Sequence, residues 1–171
     1  MVLTRFALAL SGLTLSSALW AQASPAGSWL TYDDKTGEPT SHVRVSEVDG
    51  SLSGAIEKIL DPAKADAKCN HCEDERKDQP ILGLVIFNNV KVKDDAPLTW
   101  DGGDILDPKN GKVYKVRIRL VDDGKTLEVR GYKGSPMFGR TQLWHRVEVA
   151  TSPSSPSSPS SASAPAAGTS P

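Results

Sequence analysis

The residues of this sequence best suited to chemistry lie in one short segment, Cys69-Asn70-His71-Cys72, which holds both cysteines of the chain. Two thiols separated by two residues can form a disulfide bond, contribute to a metal site, or act as a redox pair. The spacing alone does not distinguish these three possibilities; which of them is favoured depends on whether the compartment of the protein is oxidising or reducing. A disulfide here would close a very short ring, so its effect on stability would be local.

A metal site in this segment would take both thiolates and one imidazole, with a distant histidine as the fourth ligand: Cys69, His71 and Cys72, with His42 or His145. The sequence has no second Cys or His pair at ligand spacing, which weakens the metal hypothesis. The acidic residues 73–75 would oppose thiolate formation and so disfavour a redox pair. Covalent haem attachment is excluded, because Glu73 stands where that motif requires a histidine.

Hydrolytic chemistry has less support. An acyl-transfer triad would need one of the three histidines, and the segment Gly50-Ser-Leu-Ser-Gly54 places Leu52 where a nucleophile elbow has its serine. Asp101, Asp104 and Asp107 are close in sequence, but turn chemistry accounts for them, and they lack the ligand pattern of a calcium loop. We therefore predict that the protein is not an enzyme and has no catalytic residue, metal site or cofactor.

The N-terminus has the pattern of a cleavable export signal. Arg5 precedes an apolar stretch at residues 6–20, and Ala21-Gln22-Ala23 supplies a small-x-small cleavage site. The stretch is shorter than the roughly 20 apolar residues of a membrane span, so we expect cleavage after Ala23 and no transmembrane anchor. The predicted location is the periplasm, an oxidising compartment in which a disulfide between the two cysteines is the simplest outcome.

After the signal, residues 24–150 are expected to form one domain, followed by a tail at residues 151–171. The tail repeats Ser-Ser-Pro without charged or large apolar side chains, which predicts disorder; it is either an extended spacer or dispensable. The chain has 20 Lys+Arg against 21 Asp+Glu, and loss of Arg5 leaves 19 against 21. This near-neutral balance gives no reason to expect nucleic acid or an anionic membrane as partner.

Within residues 24–150, turn residues recur at short intervals and β-branched or aromatic residues alternate between them, which predicts an antiparallel sandwich or barrel. Asp49-Gly50 and Asp123-Gly124 are typical of tight hairpin turns. Gly102-Gly103 is expected to break one strand in two. The expected strands, about eight, lie at residues 27–32, 42–48, 52–60, 81–92, 98–100 with 105–106, 113–121, 127–132 and 141–149.

The strand at residues 113–121 alternates most clearly, with Tyr114, Val116, Ile118 and Leu120 on one face and Lys115, Arg117 and Arg119 on the other. We expect the apolar face in the core and the basic face in solvent, where Glu128 of the next strand can pair with it. The last strand leaves its orientation open, since either Trp144 with Arg146 or the opposite face could point inward.

Landmarks spread along the domain carry a family resemblance. They are Gly27-x-Trp29, Cys69-x-x-Cys72, Pro80-Ile-Leu-Gly83, Trp100-x-Gly-Gly103, Ile105-Leu-Asp-Pro-x-Asn-Gly111, Tyr114, Leu127-x-Val-Arg-Gly-Tyr132 and Phe138-Gly-Arg-Thr-Gln-x-Trp144-x-Arg146. In this order they resemble the bacterial domain-of-unknown-function family 2147. The resemblance implies an exported, all-β, about eight-stranded antiparallel barrel of the lipocalin-like, calycin type.

Gly27-Ser28-Trp29 is similar to the Gly-x-Trp that begins lipocalin barrels, in which the Trp closes one end and stacks on an Arg from near the last strand. Arg146 is the first candidate for this partner and Arg140 the second. A guanidinium over an indole face contributes roughly 0.5 to 2 kcal/mol. We interpret this pair as a structural closure; a ligand platform at Trp29 is the alternative.

Two functions are compatible with such a barrel, because eight closed strands leave room for packed side chains or one small ligand. The first is a periplasmic protein that binds a small apolar or amphipathic molecule against side chains of three expected strands: Val43, Val45, Tyr114, Val116, Ile118, Leu127 and Val129. The alternative is a non-catalytic structural or interaction module of the cell envelope with a solid interior. Interior volume separates them, since a ligand site needs about 300 Å³ or more.

Overall fold

The computed structural model describes residues 24–148, which fold into eight antiparallel strands joined in a closed barrel. The strands are β1 (Gly27–Tyr32), β2 (Pro39–Val48), β3 (Ser51–Ile59), β4 (Val85–Val92), β5 (Thr99–Asp107), β6 (Lys112–Val121), β7 (Thr126–Tyr132) and β8 (Arg140–Arg146). Each strand pairs with its successor, and β1 pairs with β8 to close the barrel. The predicted all-β barrel is confirmed. The predicted signal at residues 1–23 and tail at residues 151–171 lie outside the described residues.

The connections divide between two ends of the barrel. The end where β1 begins, called the closed end below, has connections at residues 49–50, 93–98 and 122–125. Asp49 and Gly50 have φ angles of 50° and 69°, the left-handed geometry of a two-residue hairpin turn. The opposite end, called the open end, has longer connections at residues 33–38, 60–84, 108–111 and 133–139. The long connection at residues 60–84 holds both cysteines and is called the disulfide loop.

Gly102 and Gly103 bend a strand and do not break it, so this expectation was wrong. β5 runs through both glycines as one element, with a bulge between Asp101 and Gly103 in its pairing to β6. Gly102 has a φ of 87°, which glycine adopts without strain. A Cβ on Gly103 would lie 2.6 Å from the Val90 side chain on β4. The glycines thus allow a continuous strand to curve closely around the barrel.

The interior face of the barrel forms one apolar core, most of it fully buried: Trp29, Val43, Val45, Leu52, Ile56, Ile86, Phe87, Val90, Trp100, Val116, Ile118, Leu120, Leu127, Val129 and Trp144. Trp144 is 2% exposed whereas Leu143 is 50% exposed, so β8 turns its Trp144 face inward. The alternation of apolar and polar residues therefore marks the two sides of the barrel wall.

The basic row of β6 lies on the outer face and is paired with acids of both neighbouring strands. Lys115 pairs with Asp104, and Arg117 with Asp101 at 2.6 Å. Arg119 pairs with Glu128 on β7, also at 2.6 Å. The positive charge of this row is thus largely neutralised by ion pairs with the neighbouring strands.

None of the helices among residues 24–148 is long and apolar enough to cross a membrane.

Candidate functional site

The closed end is sealed by Trp29 and Arg146. Trp29 on β1 is completely buried, and its indole N–H donates to the carbonyl of Pro25 at 2.9 Å. The guanidinium carbon of Arg146 lies 4.3 Å from the centre of a Trp29 ring, so the first predicted partner is the one in contact. The second candidate, Arg140, lies at the open end and pairs with Asp34.

Arg146 also donates hydrogen bonds to three backbone carbonyls at this end. Its guanidinium donates to Gly124 from Nε at 2.6 Å, to Ala26 from Nη1 at 2.9 Å and to Ser24 from Nη2 at 2.7 Å. Burial lowers the pKa of Arg146, but a guanidinium keeps its proton at any physiological pH. The side chain therefore ties the segment before β1, the connection before β7 and the last strand into one plug.

The open half of the barrel contains a cavity of about 1040 Å³. Much of its lining is apolar, with side chains from strands β2 to β8 and from the disulfide loop: Val43, Ile56, Ile59, Ile81, Ile86, Ile105, Tyr114, Val129 and Trp144. Gly131 on β7 also lines the cavity, and because it has no side chain it leaves space beside Tyr114 and Ile105. An apolar lining of this kind is suited to a hydrocarbon group.

The seven predicted ligand-contact residues occupy two levels of the barrel. Val43, Tyr114 and Val129 line the cavity. The other four are buried in the core and do not line it: Val45, Val116, Ile118 and Leu127. Sequence reasoning missed the five isoleucines of the cavity wall, although Ile56 and Ile105 follow the period-two alternation of their strands and could have been included on that signal.

One side of the cavity is polar just below the rim. The Thr31 hydroxyl lies 2.7 Å from the Ser41 hydroxyl and 2.9 Å from the Thr40 hydroxyl, and all three residues line the cavity. On β8, the Gln142 side chain accepts from the Trp144 indole N–H at 2.9 Å and donates to Asp34 at 2.8 Å. Strands β1, β2 and β8 thus present neutral hydrogen-bonding groups to the cavity.

The rim is charged, and its cations are paired. The three basic residues of the cavity lining each contact a carboxylate of the same lining, in the pairs Lys109–Asp33, Lys64–Asp61 and Arg140–Asp34. The lining also includes Glu38 and Asp107. The Lys109 ammonium, with two backbone N–H groups, holds the pKa of Asp33 far below its usual range.

The Cys69–Cys72 disulfide is present, with the two Cα atoms 5.4 Å apart and both side chains buried. They pack against Leu84 and against Leu106 at the end of β5. The backbone of the disulfide loop also lies directly on Gly111, where a Cβ would be 1.7 Å from the His71 carbonyl oxygen. The predicted disulfide is therefore confirmed, and it holds this loop against the turn from β5 to β6 at the open end.

The metal hypothesis for the cysteine segment loses both thiolates to this bond, whereas a disulfide is also the oxidised form of a redox pair. His42 and His145 are on the barrel wall, in β2 and β8, and not in the disulfide loop. Asp101 and Asp104 pair with different cations, whereas Asp107 accepts the backbone N–H of Lys109. Within residues 24–148 the structure gathers no set of three or more His, Cys, Asp or Glu residues able to hold a metal ion.

Comparison with known proteins agrees with this geometry. A family model described as an uncharacterized protein conserved in bacteria, DUF2147, matches residues 27–146. The chain is similar to the solved structure of protein HP1028 from Helicobacter pylori, described as belonging to the lipocalin family, with 21% identity and a TM-score of 0.64 over 74% of this chain and 85% of that chain. At that identity the likeness shows the fold, a lipocalin-like barrel. A search of curated protein sequences gave no match.

Proposed function

The chain belongs to the bacterial family DUF2147, and from this membership and the lipocalin-like barrel we propose that it binds one small apolar or amphipathic molecule in its cavity. The observation that carries the proposal is the cavity of about 1040 Å³. A binding site needs about 300 Å³ or more, whereas a barrel serving only as a structural module would fill its interior with side chains. No chemical step is part of this function.

The arrangement of the lining supports an oriented ligand. The packed core and the Trp29–Arg146 closure block the closed end, so entry is through the open end. Apolar side chains of strands β2 to β8 line much of the cavity, hydroxyl and amide groups lie on the side formed by β1, β2 and β8, and the charged groups lie at the open end. Burial of hydrocarbon against the apolar side chains contributes roughly 25 cal/mol per Å² of apolar surface, and polar groups of a ligand keep hydrogen-bond partners on the polar side and at the open end.

We propose further that the protein is exported and meets its ligand in the periplasm. The signal pattern at residues 1–23 supports this location. A buried disulfide supports it as well, since such bonds persist in oxidising compartments. The ligand would then come from the cell envelope.

The test combines ligand extraction with a variant that fills the cavity. Gly131 lines the cavity, and a Cβ there would meet its neighbours at 3.6 Å or more, in ordinary contact. The Gly131→Phe variant should therefore fold and place its ring in the cavity. Val113→Phe is the matched control, because Val113 is 39% exposed on β6 and does not line the cavity.

Wild type and Val113→Phe, purified from the periplasm and extracted with organic solvent, should yield the same small molecule by mass spectrometry. They should also show a thermal shift with members of a panel of isoprenoids, long-chain alcohols, long-chain amines and fatty acids. Gly131→Phe should yield neither. Empty extracts from all three proteins, with no shift across the panel, would refute the proposal and favour a structural module.

A further inference from the structure

We propose that the ligand's polar end is neutral or cationic and that the cavity discriminates against anionic amphiphiles such as fatty-acid carboxylates. This inference rests on the proposed ligand-binding function and names the ligand class. It comes from two features of the rim: carboxylates outnumber cations, and each cation is paired with a carboxylate.

Five carboxylates and three cations line the cavity, a balance of −2. The carboxylates are Asp33, Asp34, Glu38, Asp61 and Asp107. Each of the three cations already contacts one of these carboxylates, so a ligand carboxylate would have to share a cation whose charge is already compensated. The rim therefore lacks a free positive charge among the described lining residues, and its excess charge repels an anion.

Lys133 is one cation outside the lining that bears on this conclusion. Lys133 is not part of the lining, but its ammonium lies 5.3 Å from the centre of the ring of Tyr114, which is a lining residue. Counting Lys133 with the lining changes its balance from −2 to −1. The ammonium is also engaged with an aromatic face, a favourable contact that an anionic ligand would have to disturb.

The polar groups below the rim fit a neutral or cationic head. The hydroxyls of Thr31, Thr40 and Ser41 can donate or accept, and the Asp34 carboxylate beside Gln142 can accept from an ammonium or a hydroxyl. A hydroxyl, amide or amine at this level satisfies its hydrogen bonds without adding negative charge. A carboxylate there would lose water and face like charges.

The experiment compares three probes with the same saturated twelve-carbon chain: dodecylamine, 1-dodecanol and laurate. Each is titrated below its aggregation concentration into the full-length protein near neutral pH and low salt, with tryptophan fluorescence and calorimetry as readouts. We expect dodecylamine and dodecanol to bind at least about tenfold more tightly than laurate, as expected for one uncompensated like charge near the rim. Added salt should narrow the difference.

A charge variant tests whether the rim is the cause. Glu38→Gln with Asp107→Asn removes two carboxylates from the lining, and should strengthen laurate binding so that the discrimination falls to about threefold or less. Asp94→Asn with Glu148→Gln removes two charges of exposed residues at the closed end and should leave the discrimination unchanged.

Laurate binding as tightly as dodecylamine, or an equal response of the two double variants, would overturn the inference while leaving the ligand-binding function intact. Failure of all three probes, together with empty extracts, would remove both. The inference is supported if dodecylamine and dodecanol bind to the wild type and laurate does not, and if laurate binding is recovered when Glu38 and Asp107 are replaced.

Discussion

Replacement of Arg146 should loosen the closed end of the barrel and cost a large part of the domain's stability. The side chain makes three hydrogen bonds to backbone carbonyls and one cation–π contact with Trp29. With about 1 kcal/mol for each partly exposed hydrogen bond and about 1 for the cation–π contact, Arg146→Met should lower the free energy of unfolding by about 4 kcal/mol. For a domain of this size that corresponds to a melting-temperature fall of roughly 15 °C.

Two further variants show whether the loss of stability is specific to the contacts of Arg146. Arg146→Lys keeps a charge near the indole but loses the fork geometry of the three donors, so it should recover about half of the loss. Arg44→Met removes an arginine whose exposed ion pair with Glu57 contributes at most about 1 kcal/mol. Urea and thermal unfolding followed by circular dichroism give the three values. A loss for Arg146→Met that does not exceed that of Arg44→Met would refute the assigned role of this closure.

Three further predictions concern the open end and its disulfide loop. The double change Cys69→Ala with Cys72→Ala should cost about 2 kcal/mol, the entropy of so short a ring, and should make the loop more sensitive to limited proteolysis. Gly111→Ala should lower the free energy of unfolding in urea by more than about 2 kcal/mol, because its Cβ would overlap a loop carbonyl. Gly83 also has a positive φ but has open space around it, so Gly83→Ala should cost about 1 kcal/mol, and similar losses for the two variants would contradict the contact at Gly111. A guanidinium hydrogen bond lowers the pKa of Asp74 to about 2, so its contribution to stability is complete above about pH 4 and lost as pH falls through about 2. Asp74→Asn should therefore be less stable than wild type at neutral pH, and the difference should vanish toward pH 2.

The sequence predicted the barrel well because strand alternation is a local signal. Each period-two segment reports which of its faces is buried, and short turns such as Asp49-Gly50 report which segments are neighbours. Gly102-Gly103 was read wrongly for a related reason. Two adjacent glycines signal either a break or a bulge, and only the partners on β4 and β6 decide between them.

Depth along the barrel axis could not be predicted in the same way. Tyr114 and Val116 share one face of β6, yet Tyr114 lines the cavity and Val116 lies in the packed core. Which level a residue reaches depends on the tilt and stagger of all eight strands, and these are properties of the closed sheet. The predicted ligand residues were therefore assigned to the interior without a division between cavity and core.

The rim was beyond sequence reasoning because its contacts join distant parts of the chain. Lys109 meets Asp33 across 76 positions, and Gln142 meets Asp34 across 108. Charged residues in loops look alike in a sequence, since most of them are solvated singly. Trp29 and Arg146 are as far apart, but the resemblance to lipocalin barrels supplied that pairing.

The two ends of the barrel are linked through the stability of the fold. At about 24 cal/mol per Å³, a dry void of about 1040 Å³ would cost roughly 25 kcal/mol, more than the 5 to 15 kcal/mol by which a domain is stable. The cavity can therefore persist only because its open end admits water or a ligand, while the packed half and the Arg146 plug maintain the fold. A ligand that displaces this water and binds the folded barrel alone adds about 2.7 kcal/mol at a hundredfold excess over its dissociation constant. That gain is comparable to the loss expected for Arg146→Met, so a ligand of the right class should measurably restore the melting temperature of that variant, whereas an amphiphile that the rim excludes should not.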